Sequence, residues 1–480
     1  IEKNSTLGRH LTVTRDFKAG ELIFKEEPLV VGPKQITEPI CLNCYKRVYG
    51  TYRCSKCTWP MCNAECEAGL EHQPECIVGQ EIGSPIDIAD FNETNHFYEV
   101  VLPVRCLALK KRSPKKYAQL LNLESHYEEL KESEGFKENT DRIVNMLRNY
   151  FMLVNFLPEE MESSEYMIHR MVGILDTNAV DLPAGGREIA GLYSLFSMVE
   201  HSCTPNVRIT FNRKKGIYIK AAVDLKKGDH LAAMYSHILW GTIARREHLK
   251  INKYFMCTCS RCSDPTELGT YFSALRCQDC GIGYLTSAAA LDELADWICS
   301  NCNSTVPVAK VKEITLELGE IVDQVIANPS IKSLEDLIER KSTTLVHPNH
   351  FHLFASKHSL LQIYGRQSNV EEETMLKKEK LCKELIKVCT TLDPGMTRLS
   401  IYASVILYEY HLAIMARKRQ PDGSAPSPQS IKKDISFAKA LLQQCIALVI
   451  DAPDETMDGK LKEVAKMNLG ELTELESNLP

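Results

Sequence analysis

Apolar residues alternate with polar ones in two stretches of this chain and recur at helical spacing almost everywhere else. Between residues 9 and 31, Leu11 and Val13 precede Leu22, Ile23 and Phe24, with Lys18-Ala19-Gly20-Glu21 between them, which predicts a β-hairpin. Alternation returns between 188 and 240: Val207, Ile209 and Phe211, a turn at Asn212 to Gly216, then Ile217, Ile219 and Ala221. This places one apolar face of a hairpin on a core. A second hairpin-like stretch, Leu225 to Asp229, leads into Leu231 to Tyr235. Residues 85 to 175 show helical spacing instead, as in Ile143, Met146, Leu147, Tyr150 and Phe151, broken by a polar stretch from Lys131 to Asn139 that reads as a loop. From about residue 305 the pattern is helical to the end, with one stripe at Val311, Ile314, Leu318, Ile321 and Val325 and others over Phe351 to Tyr364 and Ile401 to Met415. Pro348, Pro394 and the loop Arg419 to Ser430 separate these helices. Paired helices of this length suggest a stacked, tetratricopeptide-like array, without a clean repeat of about 34 residues. The fold class is α+β.

Cysteine spacing adds metal to this picture. Cys41-x2-Cys44, Cys54-x2-Cys57, Cys62-x3-Cys66 and His72-x3-Cys76 place eight soft ligands within residues 41 to 76, enough for two tetrahedral zinc ions. Spacing alone does not choose which ligands share an ion. The segment is too short to bury a core, so metal should supply most of its folding free energy, about 10 kcal/mol or more per ion. Cys257-x-Cys259-x2-Cys262 leaves a third ion one ligand short, and Cys203 is the remaining cysteine of the β region that could complete it. Cys277-x2-Cys280 and Cys299-x2-Cys302 form a zinc-ribbon-like set that closes a fourth ion unaided. Cys382 and Cys389, seven apart in a helical pattern, read as buried apolar filler.

Composition narrows the function. The chain of 480 residues is long enough for two to four domains, with 44% hydrophobic and 25% charged residues. Its 57 basic and 63 acidic residues leave a formal charge of -6, which argues against wholesale binding of nucleic acid or of an anionic membrane. Residues 41 to 76 are not net basic either: Lys46, Arg47, Arg53 and Lys56 are balanced by Glu65, Glu67, Glu71 and Glu75. No apolar run approaches the length that spans a bilayer, and no charged-then-apolar leader follows Ile1. Of the nineteen cysteines, fourteen fall into metal-type spacings and Cys203 could join them; such ligands must stay reduced, so the nucleus or the cytosol is the expected compartment.

Taken in order, these pieces resemble the SET and MYND domain family of protein lysine methyltransferases, and are most similar to its arthropod-type members. The resemblance covers nearly the whole chain. It implies an N-terminal part of a SET domain at 1 to 40, a MYND zinc module at 41 to 76 and a helical insert at 77 to 187. A SET core at 188 to 256, a post-SET segment with the ribbon-like site at 257 to 304 and a helical C-terminal domain at 305 to 480 complete it. The family's MYND ligands interleave, which implies Cys41, Cys44, Cys62 and Cys66 around one ion and Cys54, Cys57, His72 and Cys76 around the other. It also implies a post-SET ion on Cys203, Cys257, Cys259 and Cys262, so about four structural zinc ions in all.

The resemblance further implies transfer of a methyl group from S-adenosylmethionine to a lysine amine of a histone or another protein. Tyr235 stands where the family has a catalytic tyrosine. Gly8, Arg9, His10, Glu200, His201, Asn206, Tyr235 and Phe255 stand at its cofactor-binding positions, with Phe255 as the aromatic that packs on the adenine. Asn178 resembles the asparagine that closes the insert onto the core. Three departures bear on activity. Glu200 replaces an asparagine, His10 replaces the second glycine of a Gly-x-Gly loop, and Lys253 replaces a second catalytic tyrosine. Tyr254 beside it would point the other way on an extended strand. Glu67 to Glu71 lacks the Gln and Trp of peptide-binding MYND modules, so a purely structural module is an equal expectation. Two functions from different classes follow. One is a methyltransferase acting on a lysine-bearing protein; the other is a catalytically silent, zinc-stapled scaffold that presents its MYND module or helical tail to protein partners.

Overall fold

The computed structural model describes residues 1–4, 8–80, 86–157, 161, 163–183, 188–366, 372–416, 427–452, 454 and 456–478. Among them, ten short strands build the β core: β1 (Glu2–Asn4), β2 (Gly8–His10), β3 (Leu22–Glu26), β4 (Val30–Pro33), β5 (Val180–Asp181), β6 (Ile189–Leu192), β7 (Glu200–His201), β8 (Val207–Phe211), β9 (Ile217–Ala221) and β10 (Ala232–Ala233). They form small sheets rather than one large one: β3-β9-β8, β4-β6-β5, β1-β2 and the parallel pair β7-β10.

The hairpin expected at Val207 to Ala221 is present, with Ile209 opposite Ile219 and Phe211 opposite Ile217. The hairpin expected between residues 9 and 31 is not. Its turn forms, with the Glu21 amide donating to the Lys18 carbonyl at 3.0 Å, but β3 pairs with β9 and β2 pairs with β1. Residues 11 to 17 run instead along residues 225 to 231, with the Leu231 amide donating to Leu11 at 2.8 Å and the Phe17 amide to Leu225 at 2.9 Å. Alternation specifies which side chains turn inward and leaves the partner open; Leu225 and Leu231, both buried, offer Leu11, Val13 and Phe17 a better apolar face than Leu22 does. The stretch Leu225 to Tyr235 is likewise no hairpin. Gly228, at φ +94°, makes a tight turn, after which β10 pairs in parallel with β7.

Three longer helices flank this core: α1 (Val101–Arg112), α2 (Glu165–Asn178) and α3 (Thr242–Lys253). The polar stretch from Lys131 to Asn139 is helical, over Tyr127–Lys131 and Glu134–Asn139, and is not the loop its composition suggested. Leu130 is buried and Phe136 stacks on His169 at 3.7 Å, so two anchors on one face suffice while the charged residues face water. The zinc module does not stand alone either. Leu42, Tyr45, Trp59 and Met61 join one continuous core with Val101, Leu102 and Leu107 of α1 and with Val31 of β4. Trp59 meets Tyr98 edge-on at 5.1 Å. Packing on α1 thus adds to what metal contributes to this module.

Beyond α3, β11 (Leu275–Arg276), β12 (Tyr284–Ser287), β13 (Trp297–Cys299) and β14 (Thr305–Val306) form an antiparallel ribbon in sequence order. Helices α4 (Val308–Ala327), α5 (Ile331–Thr344), α6 (Phe351–Gly365), α7 (Glu372–Leu392), α8 (Ser400–Met415), α9 (Pro428–Leu448) and α10 (Met457–Ser477) then pack largely on their sequence neighbours. Residues 419 to 426 of the expected proline-rich loop lie outside the described residues. Arg208 of β8 donates to the carbonyls of Gly395 at 3.1 Å and Met396 at 3.3 Å, joining the helical array to the β core. Cys382, Cys389 and Cys445 are buried in this array as filler.

One of several buried histidines in this array, His411, contributes to its acid sensitivity. His411 of α8, 2% exposed, lies between the Tyr408 carbonyl, to which Nδ1–H donates, and Asn468 of α10, whose amide donates to Nε2 at 3.2 Å. Burial, opposed by the Tyr408 carbonyl and reinforced by Lys378, lowers its pKa from 6.5 to about 4. The fold therefore holds the neutral ring, and its contribution is complete above pH 6.5 and lost as pH falls toward 4. About 2 kcal/mol should be lost at this site by pH 5. Urea unfolding at pH 7 and pH 5 should show a smaller pH difference for His411→Gln than for the wild type; an equal difference would contradict the assignment.

Candidate functional site

Four clusters of soft ligands form, each with its ligand atoms within 4.8 Å of one another: Cys41, Cys44, Cys62 and Cys66; Cys54, Cys57, His72 and Cys76; Cys203, Cys257, Cys259 and Cys262; and Cys277, Cys280, Cys299 and Cys302. A tetrahedral ion with bonds of about 2.3 Å to sulfur separates its thiolates by about 3.8 Å. The Sγ–Sγ distances of 3.5 Å for Cys44–Cys62, 3.8 Å for Cys54–Cys76, 3.6 Å for Cys203–Cys262 and 3.8 Å for Cys280–Cys299 agree. These clusters suit four zinc ions. The interleaved MYND pairing, which spacing left open, is the one the fold brings together.

Two buried charge groups, neither legible beforehand, support these clusters. His72 turns Nε2 toward Cys57 Sγ at 3.3 Å and Nδ1 toward Glu75 at 3.2 Å. Glu75 takes a two-pronged contact from Arg105 of α1, at 3.0 and 2.5 Å. Burial alone would raise the Glu75 carboxyl; Arg105 and then His72 reverse this and hold it below the usual range. Its sequence signal was slight: an acid three residues after a ligand histidine, as an outer partner requires. Around the third cluster, Arg245 of α3 donates to Cys203 Sγ at 3.2 Å and Cys262 Sγ at 3.6 Å, and shares Glu267 with Arg261 at 2.9 Å each. Four thiolates on one divalent ion carry excess negative charge, which the Arg245 guanidinium faces. Nothing in the sequence marked Arg245 among the other basic residues of its helix.

The third cluster, through Cys203, fixes the segment carrying Glu200, His201 and Asn206. The Tyr235 amide donates to His201 Nδ1 at 2.9 Å, and the Tyr235 hydroxyl donates to the Val199 carbonyl. Burial, with Glu200 nearby, pushes the phenol well above its ordinary value, so it is protonated at neutral pH. The rings of His201 and Tyr235 lie 5.3 Å apart and those of His201 and Phe255 5.8 Å. Asn206 braces the turn, donating to the His230 carbonyl at 2.7 Å and accepting from the Ala232 amide at 2.8 Å.

His230, absent from the sequence-based set, decides what Glu200 and His10 do. Its Nδ1 lies 2.8 Å from a Glu200 carboxylate oxygen, and its ring stacks on His10 at 4.6 Å. The His10 imidazole is 2% exposed and turned into the protein. Gly8 has φ +65° with no heavy atom within 4 Å of where a Cβ would stand, so the space before it is open. The Arg9 guanidinium donates to the Asn122 carbonyl of the insert. Ser236 Oγ, next to Tyr235, is buried without a hydrogen-bond partner. An open glycine, stacked aromatic rings, a half-buried carboxylate and an orphaned hydroxyl fit an adenosyl sulfonium with an ammonium tail.

Two expectations change. Asn178 donates to the carbonyls of Glu124 and Ile174 at 2.8 Å each, so it closes α2 within the insert and does not reach the β core. Lys253 is the last residue of α3, not part of an extended strand, because the apolar spacing of 242 to 253 is helical. Its Nζ donates to the carbonyls of Asp176 and Thr177 at the end of α2, both at 2.8 Å. Burial lowers its pKa against the pull of Asp176 and Asp181. Tyr254 follows at φ 59° and rests its ring on His126 at 4.8 Å, away from Lys253.

Comparison with known proteins agrees with this architecture. Residues 8–236 match the SET domain family. The chain is 33% identical over 329 residues to the SET domain-containing protein SmydA-8, isoform A, of Drosophila melanogaster, an alignment covering 65% of this chain and 66% of that protein. It is 24% identical over 420 residues to the histone-lysine N-methyltransferase ASHR1 of Arabidopsis thaliana, covering 82% of this chain and 80% of the relative. With the N-lysine methyltransferase SMYD2-B of Danio rerio it shares 26% identity over 268 residues, 53% of this chain and 58% of that one. The chain thus spans just under two thirds of the fly relative. No helix among the described residues is long and apolar enough to cross a membrane.

Proposed function

We propose that this chain, which resembles the SET and MYND domain family and matches the SET domain family over residues 8–236, is a protein-lysine N-methyltransferase that uses S-adenosylmethionine. The observation that carries the reading is the convergence of Tyr235 and Phe255 on His201, with ring separations of 5.3 and 5.8 Å. S-adenosylmethionine, when bound there, supplies the methyl group. Gly8 leaves room for its backbone approach, Phe255 offers a ring for the adenine, and Glu200 is an anion for the ammonium. Tyr235, neutral and directed at Val199, helps to place oxygen dipoles around the acceptor amine. The surrounding burial favours the neutral amine that a displacement at methyl carbon requires. Reduced thiols in all four clusters fit the nucleus or the cytosol.

Calorimetric titration with S-adenosylmethionine, followed by transfer of labelled methyl to a lysine-bearing protein, tests this. Tyr235→Phe should lower turnover about 100-fold while cofactor affinity stays within a few-fold. Absence of binding at millimolar cofactor would overturn the proposal. A second reading, a catalytically silent scaffold for protein partners, is favoured by one observation, the lysine at 253 held on the end of α2 where the family resemblance implies a second catalytic tyrosine. It predicts that Tyr235→Phe leaves the cellular phenotype intact while truncation after Thr305 abolishes it.

A further inference from the structure

A cavity of about 1050 Å³ opens beside the end of α2. Its walls come from the end of β4, the approach to the zinc module, the start of α1, the end of α2, and strands β5 and β6. This volume exceeds what a small metabolite needs and accommodates several residues of an extended chain. The floor is apolar, with Leu102, Pro103 and Leu175, and Ile36 at its rim is 70% exposed. The charges around it are unequal: five carboxylates face two cations, Lys34 and Arg47. Lys34 is shared between Asp181 at 2.8 Å and Glu188 at 2.7 Å, and Arg47 is taken by Glu38 at 3.2 Å. Both cations are therefore spent on acids of the same wall, and the cleft keeps a net negative field. Gln35 in this wall has a buried side-chain amide nitrogen with no hydrogen-bond partner. A donor left unpaired in this way costs about 1 to 3 kcal/mol, and a peptide carbonyl in the cleft would satisfy it.

We propose that this cleft selects substrates by binding an extended segment rich in lysine and arginine next to the lysine that is methylated. The proposal rests on the methyltransferase reading for what happens to that neighbouring lysine, but binding itself does not. Charge complementarity commits the cleft to a basic segment; an acidic or proline-rich peptide would meet unpaired carboxylates. The occupant gains from apolar contact with Ile36 and Leu175 and from the carboxylates of Asp176, Asp181 and Glu188. Asp181 and Glu188 are exposed, so cations bound there make the affinity depend on salt.

The test uses the zinc-loaded full chain and a fluorescein-labelled twelve-residue peptide of lysine, arginine, alanine and one leucine, with a counterpart in which glutamate replaces every basic residue. Fluorescence anisotropy should show the basic peptide binding at least tenfold more tightly, with affinity falling as salt rises. Ile36→Lys, at an exposed rim position, should weaken it at least fivefold without changing zinc content or the melting temperature. D181N/E188Q should weaken it further, with zinc content as the check on folding. Equal binding of the two peptides, or indifference to Ile36→Lys, would overturn the cleft proposal even if methyl transfer were observed. Selective binding without any methyl transfer would leave the cleft proposal standing and count against the methyltransferase reading.

Discussion

Replacing Cys203 with serine is expected to reduce bound zinc from four ions to three and, on the proposed activity, to abolish methyl transfer, while leaving most helical structure in place. Cys203 is fully buried and is the one ligand of its cluster that comes from the β core; Cys257, Cys259 and Cys262 all follow α3. The ion therefore ties the segment carrying Glu200, His201 and Asn206 to the segment carrying Phe255. Losing an outer partner of a metal ligand costs about 10- to 100-fold in affinity, and losing the ligand itself should cost more. The serine also leaves Arg245 without its nearest thiolate, at 3.2 Å in the native cluster. Metal analysis by atomic absorption, helical content by circular dichroism and turnover together check this. Retention of four ions with unchanged turnover would show that the cluster does not hold the site together.

Arg105→Leu should destabilise the chain by about 3 to 5 kcal/mol, the usual consequence of stranding one partner of a buried ion pair. All of the guanidinium's donors are engaged: two with Glu75, and others with the Val31 carbonyl, the Tyr45 hydroxyl and the Leu42 carbonyl, these three at 2.7 Å each. One side chain of α1 thereby joins a strand of the SET core to the zinc module. Glu75 is 2% exposed, so no water replaces what Arg105 gives it. Arg105→Lys should recover little, because an ammonium cannot reproduce the fork. The paired change Glu75→Gln with Arg105→Leu should be less destabilising than Arg105→Leu alone, since the stranded charge is gone. Denaturant titration and zinc release from the module measure both effects, and a loss below 1 kcal/mol for Arg105→Leu would remove Arg105 from this role.

Metal chemistry was the most legible part of the chain. Most thiolate ligands lie close together in sequence because tight turns present them to one ion; Cys203, far from its three partners, was named as the remaining cysteine of the β region and by the family resemblance. The β8-β9 hairpin was legible for a similar reason, its two strands being joined by a short turn. The partners of residues 11 to 17 were not, because strand alternation carries no address for a segment some two hundred residues away. His230 escaped for the same reason: its effect on Glu200 and His10 exists only where three distant segments meet.

Local pattern thus determined the α+β class, the candidate metal ligands and the helical tail, while the family resemblance supplied the roles of Tyr235, His201 and Phe255. Tertiary structure decided which strands pair, which way His10 turns, and how Arg105 and Arg245 brace the metal sites. It also decided where Lys253 places its amine. The physical reason is range. Ligand spacing and amphipathic period act between neighbours in the chain, whereas buried charges find their partners only after distant segments have packed and excluded water.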